Sequence, residues 1–293
     1  MDNELSNDAE RPKVSVYITT FNRLKLLKRA IVSVQSQTYK NIEIIVSDDG
    51  SSDGTIEYLT KLNSMGTIKA IINDSAEPKG ACHGRNKAIE MSSGLFITGL
   101  DDDDYFSPSR ISEFVSYWDS LSDTDRNSTV GLFDNIIEIK GGEFNMKDSI
   151  AEATTFDLRR ANVIGNQIFA KKEAFLNAGL FDVSMPAWQD WDMWLRMSEL
   201  GGMFRNIRKG TYQMDLSHEG ERISTSKSNR IRQAYYKFCV KASPLTKHER
   251  TSIIEQLYTY HQTKPRFNEL LCLISAGKIR PIARSIRALI LKR

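Results

Sequence analysis

Four consecutive aspartates, Asp101-Asp102-Asp103-Asp104, directly follow the apolar run Leu95 to Leu100. Carboxylates packed so closely repel one another and resist desolvation, so a compensating cation is expected beside them. Mg²⁺ and Mn²⁺ suit oxygen ligands, and such an ion commonly joins one or two carboxylates to substrate phosphates. The competing reading is an acidic turn that caps a helix near Ser107-Pro108. A second acidic cluster, Asp48-Asp49-Gly50-Ser51-Ser52-Asp53-Gly54, follows the run Ile42 to Val46. Its alternation of Asp49, Ser51 and Asp53 imitates a calcium loop. That loop needs a bidentate glutamate where Thr60 stands, and a helix rather than a strand before it. A strand-end carboxylate can instead accept hydrogen bonds from a nucleotide, and a simple turn is the alternative. Neither GxGxxG nor GxxxxGK[ST] follows any strand. Bound phosphates would therefore fall to a metal and to basic side chains, among which Arg85 is a candidate.

Such residues act only if the chain brings them together. The β-rich run Val14-Ser15-Val16-Tyr17-Ile18 leads into Thr19-Thr20-Phe21-Asn22, with Asn22 where a helix N-cap would stand. Leu24, Leu27, Ile31 and Val34 follow at helical spacing. Strands over Ile42 to Val46, Ile68 to Ile72 and Leu95 to Leu100 alternate with helices over Ile56 to Leu62 and Arg85 to Met91. This alternation predicts right-handed βαβ units and a mostly parallel sheet flanked by helices. Ligands bind beyond the carboxyl ends of such strands, so all three polar clusters are expected on one rim. Farther on, Val130 to Ile139 and Val163 to Ala170 read as strand pieces. Asp190 to Leu200 reads as a helix, and the chain from Arg230 onward as helical throughout.

The 293 residues are 40% hydrophobic and 26% charged, which excludes wholesale disorder and suits one or two domains. No apolar run approaches the roughly 20 residues of a membrane-spanning helix, and Met1 to Pro12 lacks a signal-peptide pattern. Cys82, Cys239 and Cys272 are odd in number and without CxxC spacing. They point to free thiols in a reducing, cytoplasmic compartment and to no zinc site. A net charge of +3 hides an asymmetry: residues 221–293 carry 16 Lys+Arg against 4 Asp+Glu, and residues 1–220 carry 24 against 33. A basic tail on an acidic body suits a polyanion or an anionic surface. Nucleic acid ranks low because no nucleic-acid motif accompanies the charge. Within the tail, Ile279, Ile282, Ala283, Ile286, Leu289 and Ile290 recur at helical spacing, with Arg280, Arg284 and Arg287 elsewhere around the helix. Residues 278–293 are thus expected to lie on an anionic membrane or, alternatively, to pack on the domain with a basic outer face.

Taken together, the motifs resemble glycosyltransferase family 2, of the GT-A fold. The stretches that carry the resemblance are Val14 to Arg23, Val46 to Thr55, Gly84-Arg85-Asn86-Lys87-Ala88-Ile89 and Ile97 to Asp104. Gly179-Leu180-Phe181-Asp182 and Gln189-Asp190-Trp191-Asp192-Met193-Trp194-Leu195-Arg196 follow in the family's order. The resemblance covers roughly residues 12 to 226. It implies that Thr19 and Asp49 contact the base or ribose of a nucleotide-sugar, that Phe21 and Arg23 shape that pocket, and that Arg85 lies near the diphosphate. Asp101 to Asp103 match the DxD signature, with Asp103 as metal ligand and Asp101 and Asp102 on the nucleotide-sugar. Asp190 matches the catalytic base, although Gln189 replaces the usual glutamate before it; Asp192 is the rival base. His218 falls where relatives often carry a histidine, as a metal ligand or diphosphate contact, and Arg222 would help neutralise the leaving group. Trp188, Gln189 and Trp191 are assigned to the acceptor, with Trp188 as a stacking platform and Trp194 left to the core.

The organisation expected is a flexible N-terminus (1–12), a GT-A catalytic domain (13–226) and a helical, basic C-terminal extension (227–293). Within the catalytic domain, 13–105 would bind the nucleotide-sugar and 106–226 the acceptor. The implied activity is metal-dependent inverting transfer of a sugar, from a UDP-sugar, to a glycan hydroxyl on a lipid diphosphate during O-antigen or capsule assembly. A non-catalytic binding member of the same fold is the main rival. A sugar-phosphate nucleotidyltransferase ranks below it, because Thr19-Thr20-Phe21-Asn22 is not a Gly-rich phosphate loop.

Overall fold

The β-branched run predicted as the first strand forms β1 (Val14–Thr20), and the next elements are α1 (Leu24–Gln35), β2 (Ile42–Asp48), α2 (Thr55–Ser64), β3 (Lys69–Ile72), α3 (Ala81–Met91) and β4 (Phe96–Asp101). The computed structural model describes residues 11–75, 77–217, 228–260 and 263–278. A less regular stretch follows: β5 (Tyr105–Phe106), α4 (Arg110–Ser120), α5 (Asp123–Ser128), β6 (Thr129–Phe133), β7 (Ile136–Lys140), β8 (Glu143–Lys147), β9 (Glu152–Ala153) and α6 (Thr155–Leu158). Then come β10 (Phe169–Lys171), α7 (Lys172–Asn177), α8 (Gln189–Glu199), β11 (Met203–Asn206) and β12 (Tyr212–Asp215), and finally α9 (Ser228–Lys241), α10 (Lys247–Leu257) and α11 (Phe267–Ser275).

Eight strands form the central sheet in the order β3-β2-β1-β4-β10-β6-β11-β9, and β5-β12-β7-β8 form a smaller one. The first four strands are mutually parallel, whereas β10 runs antiparallel to β4 and β6. The sheet is therefore mixed, with the parallel half where the sequence predicted it. Alternation divides β1 between two cores: Val14, Val16 and Ile18 pack on one face and Tyr17 on the other. Helix α1 buries Leu27, Ala30, Ile31 and Val34, a single stripe at helical spacing. The chain leaves β1 to one side for β2 and β3 and returns on the other as β4. That reversal opens a crevice at the carboxyl ends of β1 and β4.

Several local expectations change. Asn22 does not cap α1: it adopts a left-handed backbone with φ 53°, and its side-chain oxygen accepts the Ser52 N–H at 2.7 Å. The free N–H of Leu24 is instead taken by Asp53 at 2.9 Å, so the β2–α2 loop caps α1 from a distance. Helix α3 begins at Ala81, ahead of the expected Arg85. The run Val130 to Ile139 splits at Asp134-Asn135, where the Asp134 carboxylate accepts the backbone N–H groups of Lys209, Gly210 and Thr211. Its halves become β6 and β7, in different sheets. Of Val163 to Ala170 only the end is strand, because Asn162, Asn166 and Gln167 turn their amides to the carboxylates described below. After Ser228 the described residues are helical as expected. Trp191 and Phe238 stack at 4.3 Å between ring centroids, so α9 shares the core of α8.

At the amino end of the sheet, away from the crevice, Glu43 ties β1, β2 and the start of β4 together. Its carboxylate accepts from Ser15 Oγ at 2.5 Å, Lys69 Nζ at 2.7 Å, Gly94 N at 3.0 Å and the backbone N–H of Ser93. Burial alone would push this carboxyl up, but the hydrogen bonds from Lys69, Ser15 and Ser93 outweigh it and hold it down to about 2. A depressed carboxylate stabilises the fold above its unfolded value near 4.5, and the contribution is lost as pH falls from there toward 2. Glu43→Gln should therefore cost on the order of 3 kcal/mol at pH 7. The cost should be roughly 1.4 kcal/mol smaller at pH 3.5. Urea unfolding of both proteins at the two pH values tests this, and an equal cost at both would refute it.

Candidate active site

In-register pairing sets the three strand ends level. Thr19 on β1 lies opposite Ser47 on β2 and Asp101 on β4. Helix α3 presses close over them: a Cβ on Gly84 would come within 3.0 Å of Ser47 Oγ and 3.1 Å of Thr19 Cγ2. A cleft of about 640 Å³ opens at this rim. Thr19, Phe21, Arg23, Asp49, Arg85, all four consecutive aspartates, Gln189 and Asp190 line it, together with Trp188, Arg230 and Tyr260.

The four aspartates draw their partners from several elements, and Asp102 and Asp103 share Arg23. Asp101 accepts from Asn166 at 2.8 Å, Gln167 at 3.0 Å and Arg85 at 3.3 Å. Asp102 turns back to β1, where Thr20 Oγ1 donates at 2.7 Å and Arg23 at 3.1 Å. Burial pushes the Asp102 carboxyl up to about 6, against the opposing pull of Arg23 and Thr20. Arg23 also reaches Asp103 at 3.2 Å. Asp104 is buried and engaged by the second sheet, accepting from Tyr212 Oη at 2.8 Å and Asp215 N at 2.9 Å. Burial and the charges of Asp101 and Asp103 raise its pKa well above the ordinary carboxylate value. The cation compensation expected for the cluster thus comes in part from arginines of this chain. Among the described residues no group of three His, Cys, Asp or Glu side chains is placed to hold a metal unaided. Asp103 could hold Mg²⁺ or Mn²⁺ only together with oxygens of a bound phosphate, since such ions keep few protein ligands.

Asp190 stands in the first turn of α8 and receives Asn162 Nδ2 at 3.0 Å. Burial raises its pKa, opposed by the Trp191 N–H and by the charge of Arg85. Arg85 bridges the two halves of the cleft, donating to Asp101 and, at 3.3 Å, to Gln189. Gln189 thus holds the arginine with a neutral amide. Asp192 lies elsewhere, buried between Arg196 at 2.9 Å and Lys241 at 2.5 Å. Two residues along a helix turn it from the cleft.

Two acceptor assignments change. Trp191 is not at the cleft: it is buried, and its indole N–H donates to the Leu158 carbonyl at 2.6 Å. Trp188 lines the cleft but is only 7% exposed. It packs against Trp191, Tyr235 and Phe238 and donates to Tyr260 Oη at 3.1 Å, which leaves no open ring face for a sugar. Asp49 reaches the cleft while its carboxylate also holds the next loop, accepting from Lys79 N at 2.8 Å and Gly80 N at 2.7 Å. His218, Arg222 and residues 279–293 lie outside the described residues. Sequence reasoning missed Asn162, Asn166, Gln167, Tyr212, Arg230 and Tyr260. None has a motif, and only the paired chain brings them to the rim.

The description Glycosyl transferase family 2 matches residues 15–172. Over 286 residues the chain is 33% identical to the Escherichia coli (strain K12) protein WcaA, which bears the name of a colanic acid biosynthesis glycosyl transferase; the match covers 94% of this chain and 98% of that one. The chain belongs to glycosyltransferase family 2. This family 2 enzyme is also 36% identical over 107 residues to the Escherichia coli UDP-Glc:alpha-D-GlcNAc-diphosphoundecaprenol beta-1,3-glucosyltransferase WfaP, over 36% of this chain and 41% of that one. Among solved structures, S. aureus TarS 1-349 in complex with UDP-GlcNAc matches with a TM-score of 0.64 at 17% identity, over 94% of this chain and 79% of that one. Mannosyltransferase PcManGT from Pyrobaculum calidifontis, in complex with GDP-Man and Mn²⁺, matches with 0.55 at 15% identity, over 98% and 89%. At these identities the two structures share the fold: an α/β mixed sheet flanked by helices, as in GT-A transferases.

Proposed function

We propose that this glycosyltransferase moves a sugar from a UDP-sugar, with inversion and with the help of Mg²⁺ or Mn²⁺, to a hydroxyl of a lipid-diphosphate-linked glycan in surface-polysaccharide assembly. The observation that carries this reading is the meeting of Asp190 with the strand-end carboxylates and Arg85 in one cleft. Thr19, Phe21, Arg23, Asp49, Asp101 and Asp102 form the donor side, at the crevice between β1 and β4. Arg85, which Asp101 keeps charged despite burial, faces the diphosphate. Asp103 would hold the metal, with His218 as a further ligand. When bound, the ion neutralises charge that develops on the departing diphosphate.

Asp190 acts as general base. The acceptor oxygen attacks the anomeric carbon, its proton passes to the Asp190 carboxylate, and the bond to the diphosphate breaks with its electron pair leaving on the nucleotide. Asn162 fixes the carboxylate's orientation, and a raised pKa strengthens it as a base. The name of WfaP supports both the UDP-sugar and the lipid-diphosphate acceptor, and that of WcaA supports the polysaccharide setting. Peripheral attachment at the cytoplasmic face of the membrane would bring the enzyme to such an acceptor. No helix among the described residues is long and apolar enough to cross a membrane. Helix α11 exposes Phe267, Leu271 and Ile274 along one stripe immediately before the basic segment 278–293.

Asp190→Asn should lower transfer by roughly 10² to 10⁴-fold while nucleotide affinity changes less than about twofold. Asp192→Asn should instead lower stability, because Arg196 and Lys241 lose a buried partner. Radiolabelled transfer with calorimetric nucleotide binding tests the pair, and full activity in the Asp190 variant would transfer the role elsewhere. Removing metal with EDTA should weaken UDP binding to the wild type and leave binding to Asp103→Ala unaltered. Equal EDTA sensitivity in both proteins would take the metal from Asp103. Deletion of 278–293 should reduce co-sedimentation with phosphatidylglycerol vesicles severalfold; undiminished binding would show that the tail is not the anchor.

A further inference from the structure

We propose that the part of the cleft lined by α9 and the turn after α10 is an anion subsite in which Arg230 receives the diphosphate of the acceptor. This rests on the transfer reading above and deepens it. The cleft is lined by three arginines. Arg23 is paired with Asp102 and Asp103, and Arg85 with Asp101. Arg230 has no carboxylate partner among the described residues, so a cation faces the cleft with its fork of donors open to a phosphate.

The position of this part of the cleft assigns it to the acceptor. Asp190 must lie within hydrogen-bond reach of the acceptor hydroxyl that it deprotonates. The strand ends of β1, β2 and β4 bound the cleft on the donor side of Asp190. Trp188, Tyr260, Ile231 and Arg230 line the same cleft and come from the start of α8, the turn after α10 and α9, which are joined to one another through Trp188. A bracket fixes these residues to the base. Trp188, two residues before Asp190, adopts a left-handed backbone with φ 58°, a conformation that costs a bulky residue about 1–3 kcal/mol. Its indole N–H donates to Tyr260 Oη, and its ring packs edge-on to Tyr235 and Phe238 of α9. The strained residue thereby locks α9, and Arg230 in its first turn, to the start of α8. An anion held by Arg230 is then placed at a set distance from the base. A lipid-linked acceptor carries its diphosphate at the sugar's reducing end, which suits this arrangement. The donor carries a diphosphate too, so the test must separate the two sources.

Full-length protein is saturated with Mn²⁺ and with whichever of UDP, GDP or dTDP it binds most tightly, which fills the donor side. Geranyl diphosphate, an isoprenyl diphosphate without sugar, is then titrated by calorimetry into wild type, Arg230→Gln and Arg230→Lys. Arg230 is exposed, so the variants should keep the wild-type melting temperature. The expected result is saturable binding to the loaded wild type, at least tenfold weaker in Arg230→Gln and partly restored in Arg230→Lys, with nucleotide affinity unchanged within twofold. Equal binding to wild type and Arg230→Gln would overturn the subsite, as would no binding to the loaded wild type. A parallel fall in nucleotide affinity would give Arg230 to the donor and also overturn it. If wild type binds no nucleoside diphosphate, the transfer reading fails separately, and the same titration without nucleotide still decides whether Arg230 holds a diphosphate.

Discussion

Consecutive carboxylates at the end of a buried strand need hydrogen-bond donors and cations supplied from around them, and much of the site depends on meeting that constraint. Asp102 and Asp104 are nearly excluded from solvent, where an uncompensated charge is costly. The chain answers with partners from separate elements: Thr20 and Arg23 from the end of β1, Asn166 and Gln167 from the segment before β10, Tyr212 from β12, and Arg85 from α3. Each of these contacts also fixes an element against the rim. The smaller sheet, for example, is joined to the larger through Tyr212 and Asp215 on Asp104. Electrostatic satisfaction and assembly of the cleft are one problem with one solution.

Arg85 carries this coupling across the cleft. It lies over the Phe181 ring at 5.3 Å, and its guanidinium spans Asp101 and Gln189. The end of β4 and the start of α8, which bear the strand-end carboxylates and Asp190, are thus held by one rigid fork. A glutamine at 189 can accept from that fork without adding a sixth negative charge beside Asp101 to Asp104 and Asp190. Gln189 therefore completes the bridge with a neutral side chain.

Local patterns were legible in the sequence because they answer to local forces. Short apolar, β-rich runs placed β1, β2 and β4, and the βαβ order implied parallel pairing, which in turn put the three polar clusters on one rim; the register that levels Thr19, Ser47 and Asp101 came from the pairing itself. Helix α8 was readable from its aromatic and aliphatic stripe. Pattern reasoning erred where a distant group intervened. Asn22 has the right chemistry for a cap, but Asp53 reaches the same N–H from another loop. The run Val130 to Ile139 is strand-like throughout, yet Asp134 bends it toward the backbone of Lys209 to Thr211.

What the sequence by itself determined is the chemistry on offer: carboxylates at strand ends and at a helix start, no GxGxxG or GxxxxGK[ST] loop after a strand, and a basic tail. Tertiary structure decided which of those groups face the same space. Trp188, Trp191 and Trp194 have like spacing, but packing against α9 buries Trp191 and leaves Trp188, at the cleft, only 7% exposed. Asn162, Asn166 and Gln167 look like ordinary loop amides, and Arg230 and Tyr260 belong to a region that reads simply as helical. They become site residues because burial of apolar faces brings distant segments together, and the position of a polar side chain in space follows from packing that no single segment encodes.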